Sequence, residues 1–349
     1  MEFGIYSFGD IHPDPLSGER HSPEQQLANT LEAIRLADDA GLDHFGLGEH
    51  HRPEYAISAP ATVLAAAASI TSRIRLGSAV TVLSTEDPVR VYQQFATIDL
   101  LSHGRAEVLA GRGSFIESFP LFGADLADYD ALYAEKLELL LAINDSESVT
   151  FAGRFRAPLV DARILPRASE SGRVPGKLDI WIATGGNPES SARAGSLGLP
   201  VSYAIIGGYP ERFAPLVELY RRSATQAGHD ADAHPVAIAG PGFIASSSRA
   251  AKDTFYPYWI DSMTRISAER GFATPTRDTY DDMTGERGAI FAGEPNEIAD
   301  KILRTYGHLG HDRIGLQMDW SSVPHALVMK SIELFATEVA PQVRQALTL

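Results

Sequence analysis

Short runs of β-branched and apolar residues alternate with longer stretches of helical spacing along nearly the whole chain. This alternation is typical of βα units, which build parallel sheets covered by helices. Eight runs predict strands, at residues 3–8, 44–48, 74–83, 106–110, 178–184, 201–206, 235–246 and 313–320. Eight strands with interleaved helices and no Pro/Gly/Ser-rich linker fit one closed barrel better than two open sheets. We therefore predict an α/β fold, a single (β/α)₈ TIM barrel with insertions over residues 1–349.

Two segments interrupt this alternation. Residues 149–173 predict a hairpin followed by an extended excursion. Residues 271–293 are rich in Thr, Asp, Arg and Gly and predict irregular structure. A long irregular segment in a compact barrel is commonly an active-site lid. The sequence leaves two interpretations of residues 271–293 open, a lid or a disordered segment.

The charge and the residue composition limit the partners. The formal net charge is −15, from 30 basic and 45 acidic residues. Nucleic acids and anionic membranes favour clustered Lys and Arg, so neither is expected as a partner. The chain has no cysteine, which excludes disulfides, thiolate metal ligands and a cysteine nucleophile. The N-terminus lacks a basic region followed by a long apolar run, so we expect a cytoplasmic protein without a membrane span.

A carboxylate and two histidines, Glu49, His50 and His51, follow the second predicted strand, where such barrels carry their chemistry. Gly46, Gly48 and His50 share one face because strand side chains alternate, so we expect the glycines to leave room for a planar ligand. Imidazole exchanges a proton near neutral pH, which makes His50 the catalytic candidate. A loop histidine bonded to a carbonyl is the alternative. Consecutive histidines rarely converge on one metal ion, and no metal site is predicted.

Two glycines around an arginine, Gly111-Arg112-Gly113, end the fourth predicted strand. The run looks like a dinucleotide fingerprint, but Ile116 stands where the third glycine belongs and no acidic partner follows, so a Rossmann interpretation fails. The glycines still allow a ligand close to the backbone, and Arg112 can pair with a phosphate. An ordinary salt bridge at the barrel rim is the alternative.

A second glycine turn ends the fifth predicted strand. Gly185 and Gly186 precede Asn187, a favourable N-cap for the helix that follows. Free N–H groups at a helix start, bare glycine backbone and the hydroxyl of Ser190 together predict an anion site. Glu189 opposes this, because a carboxylate in the first turn competes for the positive helix end unless it points outward. A turn that binds nothing is the alternative.

These motifs resemble the luciferase-like flavin monooxygenase family over nearly the whole chain. The other segments that carry the resemblance are residues 77–83, 87–90, 101–105 and 119–123. The resemblance implies FMN in the barrel mouth, a non-prolyl cis peptide bond between Ala79 and Val80, and His50 as the catalytic histidine. The cofactor-binding residues that the motifs and the resemblance together predict are Ala79, Val80, Gly111, Arg112, Gly113, Gly185, Gly186, Asn187 and Ser190.

The resemblance also implies a homodimer, a small organic substrate and a separate NAD(P)H:flavin reductase. The luciferase α-subunit has a reactive cysteine where this chain has Gly111, and an acidic-serine pair near Gly185 and Gly186, so light emission is not expected. The sequence thus predicts an enzyme, an FMN-dependent, two-component monooxygenase that uses reduced flavin and oxygen. The alternatives are a deazaflavin-dependent hydride-transfer enzyme, a non-catalytic flavin-binding barrel and a metal-dependent hydrolase.

Overall fold

Parallel strands close into a ring at the centre of the fold. In the computed structural model, which describes residues 1–113 and 115–348, the strands are β1 (Glu2–Ser7), β2 (His44–Leu47), β3 (Arg75–Ser78), β4 (Thr81–Val82), β5 (Ala106–Gly111), β6 (Ser148–Phe151), β7 (Leu159–Arg163), β8 (Asp179–Thr184), β9 (Val201–Ala204), β10 (Val236–Ile244), β11 (Phe291–Gly293) and β12 (Arg313–Gln317). The ring runs β1, β2, β3, β5, β8, β9, β10 and β12, and β12 pairs with β1 to close it. The predicted (β/α)₈ barrel is confirmed.

Helices surround the ring. They are α1 (Pro23–Asp39), α2 (Pro60–Ala68), α3 (Pro88–Leu101), α4 (Ser118–Leu121), α5 (Tyr129–Asp145), α6 (Pro188–Ser196), α7 (Ala214–Gln226), α8 (Ser248–Arg270), α9 (Arg277–Thr284), α10 (Pro295–Leu309), α11 (His325–Leu334) and α12 (Ala340–Leu347). Ser22, Asp87 and Asn187 cap α1, α3 and α6, and each is followed by a proline, which suits the first helical position. Within residues 1–113 and 115–348, every helix is too short or too polar to span a bilayer.

A charged layer fills the N-terminal end of the barrel. Glu107 and Arg313 are fully buried and form two parallel hydrogen bonds of 2.7 and 2.8 Å. Arg75 approaches the same carboxylate, with Nε 2.6 Å from Oε1, and Glu2 accepts from Arg313 Nε at 2.8 Å. Opposed charges in bonding contact offset the desolvation that burial imposes on each of them. This layer therefore seals the end of the barrel opposite the predicted site.

An apolar layer lies above the charged one. Tyr6, Leu109, Trp181 and Ala237 are buried together, and the guanidinium of Arg313 lies 4.2 Å from the centre of the Trp181 ring. The two layers are thus joined by a cation–π contact. Since side chains fill the interior, a ligand has room only above this layer, at the carboxyl ends of the strands.

The two predicted insertions have different outcomes. The hairpin in residues 149–173 is confirmed, because β6 and β7 pair in antiparallel orientation. The prediction of irregular structure in residues 271–293 is wrong in part, because the segment contains α9 and β11, and β11 pairs with the end of β10. Lys301 Nζ donates to the carbonyls of Gly285 and Ile290, both at 2.7 Å. These bonds anchor the second half of the segment to α10.

The lid interpretation narrows to residues 272–276, which connect α8 and α9 without a helix or strand. Glu269, just before this connection, pairs with Arg52 in the loop that follows β2. We expect a protease of broad specificity to cut first within residues 272–276, because an irregular connection opens more readily than a packed helix. Saturating FMN, the ligand that the family resemblance implies, is expected to slow this cut. Mass spectrometry of the fragments identifies the site.

Two outcomes would contradict these expectations. A first cut inside α9 would show that Lys301 does not anchor the segment. Equal cleavage rates with and without FMN would show that residues 272–276 do not act as a lid.

Candidate active site

The floor of the barrel mouth is built from small side chains. Ala79, Val80, Ala183 and Ala239 are half-buried and pack on the apolar layer beneath them. They come from three different parts of the ring, after β3 and within β8 and β10. A floor of small apolar groups suits a planar, apolar ligand, for which large side chains would leave no room.

The peptide bond between Ala79 and Val80 is cis, as the resemblance implies. It separates β3 from β4, which the sequence analysis predicts as one strand. Gly111 supports this segment from β5, since a Cβ atom there would lie 2.6 Å from Cγ2 of Val80. Gly113 has a φ of +79°, and a Cβ atom there would lie 2.9 Å from Cγ1 of Val82. Both glycines therefore accommodate the protein's own chain, and their direct contact with a ligand stays a prediction.

Glu49 ties the loop after β2 to the same segment. Its Oε2 accepts a hydrogen bond of 3.0 Å from the Val82 N–H, and its Oε1 lies 2.8 Å from His51 Nε2. Both side chains are buried. Both carboxylate oxygens of Glu49 are engaged within the protein, so Glu49 and His51 fix the loop after β2 against β4. In the part of the chain that the structure describes, no group of three or more His, Cys, Asp or Glu side chains could hold a metal ion.

His50 lies at the mouth, among three aromatic rings. The ring centres of Phe8, Tyr55 and Phe115 lie 4.9, 4.4 and 4.8 Å from that of the imidazole. The side chain of His50 is 11% exposed, and its Nδ1 lies 3.7 Å from Oε1 of Glu117. His50 thus lies in a largely apolar setting with one carboxylate beside it, and its catalytic role stays a prediction.

The glycines that precede His50 have a different role from the one predicted. A Cβ atom at Gly46 would lie 2.6 Å from the ring of Tyr6, and one at Gly48 would lie 1.9 Å from the ring of Phe8. The rings of Tyr6, in β1, and Phe8, just after β1, fill the space that the sequence analysis assigns to a planar ligand. That prediction is wrong. The glycines instead allow Phe8 to form one wall around His50.

The arginine after β5 and the turn after β8 meet on one side of the mouth. Arg112 Nη2 donates to Ser190 Oγ at 3.4 Å. Asn187 caps α6 by accepting from the Ser190 N–H at 3.0 Å. Gly186 has a φ of +107°, which favours glycine. The predicted phosphate residues are therefore neighbours, although they follow different strands.

The donors in this turn differ from those expected. Thr184 Oγ1 accepts from the N–H groups of Gly186 and Asn187, at 3.3 and 3.1 Å, so these groups are not free for an anion. The guanidinium of Arg112 and the hydroxyl of Ser190 are the better donors. Glu189 is exposed, as an anion site requires. Arg112 also pairs with the exposed carboxylate of Asp130, so the rim salt bridge considered as an alternative is present too.

A pair of carboxylates at the ends of β1 and β12 was not singled out from the sequence. Asp10 is buried and accepts from Gln317 Nε2 at 3.2 Å and from the Ser321 N–H at 2.9 Å. Asp319 accepts from Ser7 Oγ at 2.5 Å. Burial and the nearby charge of Asp319 raise the pKa of Asp10 well above its ordinary value, and burial raises the pKa of Asp319 to about 6. The sequence does contain one indication of this pair, because Asp10 closely follows the first predicted strand and Asp319 lies near the end of the last one.

Known proteins share this architecture. A family model described as luciferase-like monooxygenase matches residues 1–313. The 4-hydroxyprotoasukamycin monooxygenase of Streptomyces nodosus subsp. asukaensis is 26% identical over 357 residues, covering 98% of this chain and 92% of that protein.

Two solved structures share the barrel. The oxygenating constituent of 3,6-diketocamphane monooxygenase from Pseudomonas putida, in complex with FMN, has a TM-score of 0.79 at 20% identity, covering 98% of both chains. The coenzyme F420 dependent tetrahydromethanopterin reductase from Methanopyrus kandleri has a TM-score of 0.71 at 19% identity, covering 98% of this chain and 99% of that one. At these identities the likeness shows a shared fold.

Proposed function

The chain belongs to the luciferase-like monooxygenase family, whose members are oxidoreductases. From this premise we propose that it is an FMN-dependent monooxygenase that acts on a small organic substrate. The main observation behind the proposal is the hydrogen bond from Arg112 to Ser190 at the barrel mouth. The apolar floor and His50 lie at the same end of the barrel. Together these residues offer a cationic group for a phosphate, a surface for a planar ring and a proton-exchanging group.

The residues present fit a flavin mononucleotide. Ala79, Val80 and Ala183 leave the floor free of large side chains. A Cβ atom at Gly185 would meet no other atom within 4 Å, so the turn after β8 is open on that side. Arg112 and Ser190 would hold the phosphate, and the floor would contact the ring system.

The chain's own part in the reaction is to bind, to exclude water and to move a proton. A bound reduced flavin supplies the electrons that activate oxygen. Phe8, Tyr55 and Phe115 surround the His50 ring and keep most of it away from water. His50 would exchange a proton with the reacting groups, because imidazole gains and loses one near neutral pH.

The visible spectrum tests the proposal most directly. The purified protein is incubated with FMN, desalted and measured, with bovine serum albumin treated in the same way as a control for carry-over. We expect flavin absorbance to remain with the protein. A colourless protein after incubation at saturating FMN would contradict the proposal.

Removal of the Arg112 guanidinium should weaken FMN binding selectively. We expect Arg112→Ala to lower FMN affinity by about 1–3 kcal/mol, the range for a lost charge-assisted hydrogen bond, and to leave riboflavin affinity unchanged. Arg154→Ala is a matched control, since Arg154 pairs with Asp128 and its side chain is 69% exposed. Fluorescence titration gives both affinities. If FMN and riboflavin lose affinity equally in Arg112→Ala, the phosphate lies elsewhere.

A deazaflavin-dependent hydride transfer is the second candidate function. The fold shared with the coenzyme F420 dependent reductase supports it. Reconstitution with reduced FMN or reduced deazaflavin, each with and without oxygen, separates the candidates. Substrate turnover that needs oxygen and FMN supports the monooxygenase, and anaerobic turnover with deazaflavin supports the hydride transfer. Flavin binding without turnover on any tested substrate would favour a binding-only barrel.

The assembly is part of the same proposal. The proposed homodimer rests on the family resemblance, and so does the separate NAD(P)H:flavin reductase.

A further inference from the structure

We propose that Glu117 is a positioning residue for His50, which it holds as the tautomer protonated at Nδ1. Nε2 is then left unprotonated and able to accept a proton. The functional meaning of this acceptor rests on the proposed monooxygenase, but the tautomer itself does not.

The geometry begins with the distance between the two side chains. Glu117 Oε1 lies 3.7 Å from His50 Nδ1, and the Glu117 side chain is 24% exposed. This is an ion-pair distance, longer than a hydrogen bond. Catalytic hydrogen bonds are often long before ligands bind and tighten in the complex. Burial works to raise the pKa of Glu117, but the contacts with His50 and with backbone N–H groups, including that of His51, outweigh it and lower the pKa.

The other walls around the imidazole offer no competing charge in contact with the ring. Phe8 and Phe115 are apolar. Burial raises the pKa of Tyr55 well above its ordinary value, so its hydroxyl stays neutral at neutral pH. In residues 1–113 and 115–348, Glu117 is therefore the charged side chain within ion-pair distance of the His50 ring.

Other charged side chains lie near the Phe115 ring. Arg52 binds both oxygens of Glu269, at 2.8 and 2.5 Å, and lies 4.8 Å from the centre of the Phe115 ring. Arg270, the last residue of α8, lies 5.2 Å from the same ring centre. Within residues 1–113 and 115–348, Glu269 forms its ion pair with Arg52 and His50 forms its ion pair with Glu117, so Glu269 is a carboxylate of the same region that does not pair with the imidazole.

The tautomer follows from the chemistry of the pair. An ionised carboxylate only accepts hydrogen bonds, and a neutral imidazole has one N–H. The partner of one ring nitrogen decides where that proton sits. A carboxylate beside Nδ1 therefore places the proton on Nδ1 and leaves the lone pair on Nε2.

The neighbouring histidine provides an internal contrast. His51 contacts Glu49 through Nε2, at 2.8 Å. The same reasoning puts the proton of neutral His51 on Nε2, the opposite nitrogen. Two adjacent histidines are thus held by two different carboxylates in opposite tautomers, and a single spectrum can show both.

Nitrogen NMR on the full chain with ¹⁵N-labelled histidine tests the proposal, at a pH where the imidazoles are neutral. His50→Gln and His51→Gln assign the two rings. We expect His50 of the unmodified protein to be protonated at Nδ1 by about tenfold over Nε2, because the negative charge of Glu117 beside Nδ1 favours the N–H on that nitrogen. His51 should show the reverse.

Glu117→Leu should move the His50 proton to Nε2, whereas the matched Glu269→Leu should leave it on Nδ1. Thermal unfolding confirms that each variant is folded. Where Glu117→Leu fails to fold, Glu117→Gln replaces it, and a clear loss of the Nδ1–H excess is then the expected result. The proposal would be overturned if His50 of the unmodified protein carried its proton on Nε2. It would also be overturned if the His50 tautomer were the same with and without the charge of Glu117.

Turnover adds a second measurement that structural damage would not reproduce. The Glu117 variant should lose about tenfold in kcat with KM and FMN affinity retained, since it removes a positioning contact and no binding contact. An unchanged kcat would count against a positioning role. The tautomer is measured without flavin, so it can be as expected even if FMN does not bind. In that case the proposed function fails and the assignment of the Glu117 contact stands.

Discussion

Replacement of His50 by alanine is expected to slow oxygenation by about 10²–10⁴-fold, the range for a lost general acid or base. Folding and FMN affinity should stay nearly intact. The physical reason is the position of the ring, which is 11% exposed at the mouth, whereas the proposed phosphate contacts lie at Arg112 and Ser190. The measurement is turnover at equal flavin occupancy.

His51→Ala is the matched control for this prediction. His51 is bound to Glu49 inside the protein, so its loss leaves a buried carboxylate oxygen without its partner. We expect a loss of about 1–3 kcal/mol in the free energy of unfolding and a smaller effect on turnover. If His51→Ala proved to be the slower variant, the catalytic assignment would move to His51. If neither variant were slowed, the binding-only barrel would gain support.

Glu107→Gln should lower the free energy of unfolding by about 3–5 kcal/mol, the range for breaking a buried ion pair from one side. Glu107 is fully buried and receives both parallel hydrogen bonds of Arg313 as well as the approach of Arg75. Glutamine keeps the shape but cannot neutralise the two guanidinium groups. Urea unfolding at neutral pH measures the change.

Glu138→Gln is a control, because Glu138 lies exposed on α5, where substitutions usually change stability by no more than about 0.5 kcal/mol. A loss below about 1 kcal/mol in Glu107→Gln would show that the charged layer adds little to stability.

The same layer predicts how stability depends on pH. Burial works to raise the pKa of Glu2, but the charges of Arg313, Arg75 and Arg173 outweigh it and lower the pKa from 4.5 to about 2. A lowered folded-state pKa means that this stabilisation is complete above 4.5 and is lost as the pH falls towards 2. Glu107 acts in the same direction, because Arg313 and its neighbours outweigh burial and hold its pKa well below the usual range. Acid unfolding should therefore be less steep in Glu107→Gln.

Local sequence determined the elements and their order. The helices that begin after Ser22, Asp87 and Asn187 could be predicted because an N-cap and the proline that follows it act within a few residues. The strands could be predicted because β-branched runs of the right length recur between helices. The third predicted strand, over residues 74–83, divides at the cis peptide bond between Ala79 and Val80. The resemblance implied that bond, whereas periodicity alone did not reveal the division.

The tertiary structure decided what occupies the space between the elements. The sequence predicts that Gly46 and Gly48 leave room for a ligand, but strand pairing brings Tyr6 and Phe8 into that space. The sequence predicts irregular structure over residues 271–293, but Lys301 anchors their second half by donating to carbonyl groups.

The charged layer depends on closure of the ring. Glu107 and Arg313 lie 206 residues apart in sequence, and no local motif predicts that they pair. The placement of Glu117 beside His50 likewise needs the loop after β5 to lie over the end of β2. Caps and periodicity act through neighbours along the chain, so they can be read from the sequence. These contacts join residues that meet only when the barrel closes, so their partners were decided by the tertiary structure.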